Sequence, residues 1–171
     1  SSTLINNIAQ WLGINAFTLL ENTFGGSGYD IASAQNDVPI LYQRNGENPI
    51  VKPIAFEPEC AANIYFVYLN QKQNSKSAIA AYRSKSNVLE NLIPTFDAIT
   101  DSIVQQSDYN TLESSFEKHE TQMSQILGIP RVQQSLFPDF KGTIKSLGAW
   151  GGDFVLVLSR ENPSQYFREK G

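Results

Sequence analysis

The chain opens on an amphipathic pattern. Leu4, Ile5, Ile8 and Trp11 recur at helical spacing behind Ser1-Ser2-Thr3, so residues 2–12 read as a short helix that starts at an N-cap and ends near Gly13. Asn15 is placed to cap a second, turn-rich helix running through Phe24. Gly25-Gly26-Ser27-Gly28 breaks that pattern, and Tyr29-Asp30-Ile31-Ala32-Ser33-Ala34 resumes a helix whose small residues suit close packing. Residues 38–43 and 50–56 predict an antiparallel strand pair, with Pro39 favouring the start or edge of the first strand and the polar residues 44–48 supplying the turn. Residues 64–69 form the clearest interior strand of the first half, and 71–77 are polar. Two longer helices are expected next. One covers 87–106 and is bent or interrupted by Pro94; the other covers Tyr109–Leu127 and ends at Gly128-Ile129-Pro130. Leu112, Phe116, His119, Met123 and Ile126 share one side of the latter, a packing face. Residues 142–145 and 153–159 complete the pattern as two strands. Strands and helices mix without a regular repeat, so the expected class is α+β, an antiparallel sheet covered by helices.

Composition narrows this reading only a little. A length of 171 residues supports one domain with a real core and is short for two generous ones, and 41% apolar residues spread along the chain exclude a disordered one. Thirteen basic against seventeen acidic residues, with no long run of either sign, argue against a nucleic-acid surface. The single Cys60 excludes an intrachain disulfide framework and fits a reducing, cytoplasmic setting. The longest apolar runs are strand-sized, no signal-peptide pattern opens the chain, and no membrane partner is expected.

Three segments carry candidate chemistry. Ser1-Ser2-Thr3 begins a helix, where free N–H groups either meet an ordinary cap or attract an anion, with hydroxyls able to ligate phosphate-bound Mg²⁺. Gly25-Gly26-Ser27-Gly28-Tyr29-Asp30 brings backbone close to whatever it faces and presents a carboxylate; it is either a turn with a cap or a site. Gly148-Ala149-Trp150-Gly151-Gly152 joins two strands, either as a tight hairpin or as a loop that a ligand approaches, with the Trp150 ring needing a partner. One site assembled from distant loops explains the three more economically than three unrelated turns.

In this order and spacing the segments resemble the GHMP small-molecule kinases. Ser1-Ser2-Thr3-Leu4 is similar to the tail of that family's phosphate loop, Ser27-Gly28-Tyr29-Asp30-Ile31-Ala32-Ser33-Ala34 to the segment carrying its catalytic aspartate, and Lys145-Ser146-Leu147-Gly148-Ala149-Trp150-Gly151-Gly152 to its late glycine motif. Gly-Tyr-Asp-Ile-Ala together with Gly-Ala-Trp-Gly-Gly-Asp resembles a bacterial subgroup named after the first of these runs. Trp150 and Asp153 stand where glycines are common and Leu147 where a hydroxyl residue is common, so the late loop is expected to be less open.

The resemblance implies residues 1–35 as the end of an N-terminal GHMP domain and 36–171 as mainly the C-terminal, ferredoxin-like domain. It implies ATP-dependent phosphoryl transfer to a small alcohol or phosphorylated metabolite, of mevalonate or phosphomevalonate type. Asp30 would be the general base. Ser1, Ser2, Thr3, Gly148, Ala149 and Gly151 would hold the nucleotide, with Ser2 on Mg²⁺, and Gly28, Tyr29, Lys76 and Trp150 would border the acceptor. Activity is expected only with the missing N-terminal part of the same protein. There is no Walker sequence, so Lys145 has no such role, and the lone His119 excludes a multi-histidine metal site. Arg44, Arg83 and Arg131 read as solvated surface ahead of acceptor contacts. The alternative is an inactive GHMP-like module that binds a metabolite or protein, which the altered late loop favours.

Overall fold

The computed structural model describes residues 2–45, 48–70, 80, 82, 84, 90–148, 150 and 153–170, with only the backbone of Ser2 and Glu90. Internal contacts divide the chain into two compact units, Ser1–Phe56 and Glu57–Gly171. The expected division after residue 35 thus differs from the observed one by the length of a hairpin, which belongs with the first unit.

In the first unit, α1 (Ser2–Leu12), α2 (Ala16–Glu21) and α3 (Tyr29–Ala34) pack around Ile5, Ala9, Ala16 and Ile31. Asn15 caps α2 by accepting from the N–H groups of Phe17 and Thr18 at 2.8 and 3.1 Å, but the helix stops at Glu21, short of Phe24. The buried stripe of α1 is Ile5, Asn6 and Ala9. Leu4 and Trp11, expected on that stripe, are exposed, Trp11 at 84%. The small Ala9 and Ala16 let the helices approach on the other flank. Asn6 is buried and accepts from the Gln35 side chain at 3.0 Å, tying α1 to the end of α3. The antiparallel hairpin β1 (Ile40–Gln43) and β2 (Ile50–Pro53) pairs Ile40 with Pro53 and Gln43 with Ile50.

The second unit is built on an antiparallel sheet in the order β3 (Ile64–Tyr68), β5 (Phe154–Leu158), β4 (Thr143–Ser146). Alternation along β5 supplies two cores, because neighbouring side chains leave a strand on opposite faces. Val155 and Val157 join Ile144, Val132 and Phe137 in one cluster. Leu158, with the half-buried Leu156, joins Cys60, Leu112 and Phe116 in another. The first is flanked by α6 (Val132–Leu136) and α7 (Ser164–Lys170). The second is flanked by α4 (Ile93–Gln105) and α5 (Tyr109–Leu127). The sheet is therefore covered by helices, as the pattern predicts. Pro94 corrects the expectation for 87–106: it sits in the first turn of α4, where a missing N–H is harmless, and follows a 3₁₀ turn at Glu90–Leu92. α5 keeps its expected bounds. Asp108 accepts from the N–H groups of Asn110 and Thr111 at 2.9 and 3.1 Å, and Gly128 closes the helix at φ +71°.

Candidate functional site

Within the first unit, the glycine-rich loop is fixed by steric necessity at Gly28. Its φ of +84° suits glycine, and an added Cβ would lie 3.0 Å from both Phe17 Cδ1 and Tyr42 Oη. The Tyr42 hydroxyl donates to the Ser27 carbonyl at 2.5 Å, pinning the loop to β1. The chain then enters α3 with Tyr29 and Asp30 in the first turn while Ile31 and Ala32 anchor the opposite side in the core. This leaves Asp30 exposed. Burial, the charge of Asp30 and a side-chain hydrogen bond with Asp30 push the Tyr29 phenol up to about 12, although the residue keeps 45% of its surface. Tyr29 therefore stays protonated at neutral pH.

Thr3 is exposed in the first turn of α1, and that turn contains no acidic side chain to neutralise the positive end of the helix. Ser2 opens α1, with its side chain outside the described residues, and Ser1 lies outside them too. Among the described residues no group of three histidine, cysteine or carboxylate side chains could hold a metal ion.

The late loop belongs to the second unit. Gly148 has φ +61°, Trp150 φ +54° and Asp153 φ +47°. The two non-glycine residues thus follow a left-handed path that glycine would take without strain. The Trp150 ring stacks on Tyr82 with centroids 5.5 Å apart, and the Asp153 carbonyl accepts from the Leu69 N–H at 2.7 Å. Ala149, Gly151 and Lys76 lie outside the described residues, as does Arg83. Arg131 is engaged elsewhere, hydrogen-bonded to the Glu117 carboxylate.

Sequence reasoning missed the polar cluster that ends in this loop. Glu120, only 4% exposed, accepts from Ser146 Oγ at 2.9 Å and lies 3.7 Å from Lys145 Nζ. Lys145 Nζ is also 3.3 Å from His119 Nδ1, and His119 packs edge-on against Phe96. Burial pushes the Glu120 carboxyl up, but the adjacent His119, the Lys145 charge and the Ser146 contacts together bring it below the usual range. Burial also lowers Lys145, against the pull of Glu120. The cluster holds the end of β4, and with it the start of the late loop, to α5. Its signal was an acid at the i+4 position after Phe116 and the i+8 position after Leu112, in the buried stripe of a helix.

Among the described residues no helix is long and apolar enough to cross a membrane. No protein-family model and no curated protein matches the chain. A crystal structure of a Lin0012 protein from Listeria innocua is similar in fold, with a TM-score of 0.68 and 16% identity over 97% of this chain. The present chain spans 59% of that protein's length.

Proposed function

We propose that the chain is part of an ATP-dependent kinase of the GHMP type that phosphorylates a small alcohol or phosphorylated metabolite. The observation that carries this reading is Asp30. It is exposed in the first turn of α3, two residues after the left-handed Gly28, and its charge helps to keep the Tyr29 phenol protonated. An exposed carboxylate so placed suits taking the acceptor hydroxyl proton. In this proposal the first turn of α1, with Ser1, Ser2 and Thr3, holds the nucleotide phosphates. The resemblance to the GHMP kinases adds Gly148, Ala149 and Gly151 to the nucleotide contacts and assigns Gly28, Tyr29, Lys76 and Trp150 to the acceptor. The un-neutralised start of α1 supports an anion there. Mg²⁺ would be carried on those phosphates, with Ser2 as a protein ligand. Bound Mg-ATP would supply the transferable phosphoryl group. The activity belongs to a protein that also carries the family's remaining nucleotide-binding motif, with mevalonate- and phosphomevalonate-type acceptors as first candidates and the cytoplasm as its place.

A second reading, an inactive module that binds a metabolite or protein, is favoured by one feature: Trp150 is stacked on Tyr82 in a loop where the family carries glycine. ADP release with a panel of small alcohols, measured on a protein that carries this chain together with the family's remaining nucleotide-binding motif, separates the two. Under the kinase reading Asp30→Asn lowers turnover by about 10²–10⁴-fold. Equal turnover in both proteins would remove Asp30 from the role, and no turnover in either would favour the binding module.

A further inference from the structure

Beside Gly28, the first unit contains a second feature with the makings of a site, one that Asp30 does not line. Phe17, Leu20, Glu21, Gly26, Ser27, Gly28, Tyr42 and Arg44 enclose a cavity of about 140 Å³. That is close to the size at which a cavity accepts a benzene-sized group. Its walls combine apolar surface from α2 with the main chain of the glycine-rich loop and the guanidinium of Arg44 from the hairpin.

Two observations identify the chemistry. Among the described residues, the N–H groups of Gly26, Ser27 and Gly28 donate to no protein acceptor, while the Ser27 carbonyl is occupied by Tyr42 Oη. Donors are thus available along a loop whose nearby acceptor is already satisfied, and Gly26 and Gly28 hold it open at φ +127° and +84°. Arg44 is 51% exposed in its side chain. Its closest carboxylate, Glu21 Oε2, is 3.9 Å away, at the limit of an ion pair and beyond hydrogen-bonding distance. The guanidinium therefore retains its planar set of donors, a geometry that matches carboxylate and phosphate oxygens.

We infer that this cavity binds the anionic group of a small metabolite, a phosphate or a carboxylate, through Arg44 and the amides of Gly26, Ser27 and Gly28. Phe17 and Leu20 cover the carbon skeleton. Tyr42 is a positioning residue, holding the loop through Ser27. Glu21 opposes the ligand: its like charge at the rim weakens binding and makes the site selective for groups that engage Arg44 fully. The binding stands whether or not Asp30 acts as a base.

The test is amide and arginine side-chain NMR of the full 171-residue chain, titrated separately with inorganic phosphate and with acetate against chloride at equal ionic strength. The expected result is saturable movement of the Gly26, Ser27, Gly28 and Arg44 signals with at least one anion. Movement with phosphate alone assigns a phosphate ester, with acetate alone a carboxylate, and with both the shared anion chemistry. Arg44→Gln, at an exposed position, should weaken binding by about tenfold or more. Glu21→Gln should tighten it. Tyr42→Phe should weaken it less than Arg44→Gln does, with the loop signals broadened even without anion. No saturable shift with either anion, unchanged affinity in Arg44→Gln, or weaker binding in Glu21→Gln would overturn the assignment.

Discussion

Replacing Glu120 by Gln tests whether the end of β4 is held by a desolvated ion pair. The distance from Glu120 to Lys145 Nζ is 3.7 Å, which at an effective dielectric of about 20 corresponds to an attraction of about 4.5 kcal/mol before desolvation. Desolvation offsets much of this, yet removing one partner leaves Lys145, with a side chain only 19% exposed, without its counter-charge. Broken buried pairs cost about 3–5 kcal/mol. Because Gln keeps an acceptor for Ser146 Oγ, the lower end, about 3 kcal/mol, is expected. With a denaturant slope of about 2 kcal/mol per molar, the urea midpoint of the second unit falls by about 1.5 M. The assay follows Trp150 fluorescence in a Trp11→Phe background, which is silent structurally because Trp11 is 84% exposed. Lys145→Met should also destabilise, by stranding Glu120. The double variant should cost clearly less than the two single losses added together. A loss below about 1 kcal/mol for Glu120→Gln, or simple additivity in the double variant, would refute the buried pair.

The same pair makes stability depend on pH in two windows. Glu120 has a depressed folded pKa, so its contribution is present above the unfolded value of about 4.3 and is lost as pH falls through the lower folded value. Lys145 is also lowered, so the native state gives up its proton first, and stability rises with pH between the folded value and about 10.4. Urea midpoints across pH should show both legs, with the acid leg flattened in Glu120→Gln and unchanged if the carboxylate is not coupled to folding. Gly28→Ala should destabilise the first unit by about 1–2 kcal/mol from the left-handed backbone alone, with the Phe17 and Tyr42 contacts adding to it; an unchanged melting temperature would contradict this. Gly142→Ala should disrupt the second unit more severely, since its Cβ would meet the Leu158 carbonyl at 2.5 Å and Phe140 Cε1 at 2.7 Å; circular dichroism melting checks it. Asp30→Asn should bring the Tyr29 phenol down from about 12, read by NMR titration of its ring; no movement would mean that Asp30 does not hold the phenol.

The α+β class was legible because local and tertiary signals agree. Helix α5 carries its stop at Gly128 and its apolar stripe at Leu112, Phe116 and Met123, both read in the sequence, while its cap at Asp108 was not read there. The strands of the three-stranded sheet were legible for similar reasons: β5 is a run of five apolar residues, too short for a buried helix. Pro94 was misjudged because proline marks a helix start and a helix break with the same letter, and only the turn before it decides which. Helices α6 and α7 went unread, being five and seven residues long, too short for periodicity to emerge. At the candidate site, glycine spacing marked a turn before α3 at Gly28, while the roles given to Tyr29 and Asp30 come from the family resemblance. The Glu120, Lys145 and His119 cluster could not, since it joins residues 26 positions apart through a contact between helix and sheet. Nor does spacing reveal that Arg44 shares a cavity with the glycine-rich loop, because that depends on the hairpin packing against α3.

The central claim, that Asp30 serves phosphoryl transfer, is tested most directly by ³¹P NMR of Mg-ATP and a small alcohol acceptor incubated with a protein that carries this chain together with the family's remaining nucleotide-binding motif. The account predicts a new phosphate-ester resonance and ADP with the native sequence, and neither above background with Asp30→Asn. An ester resonance that grows at the same rate with Asp30→Asn would contradict it.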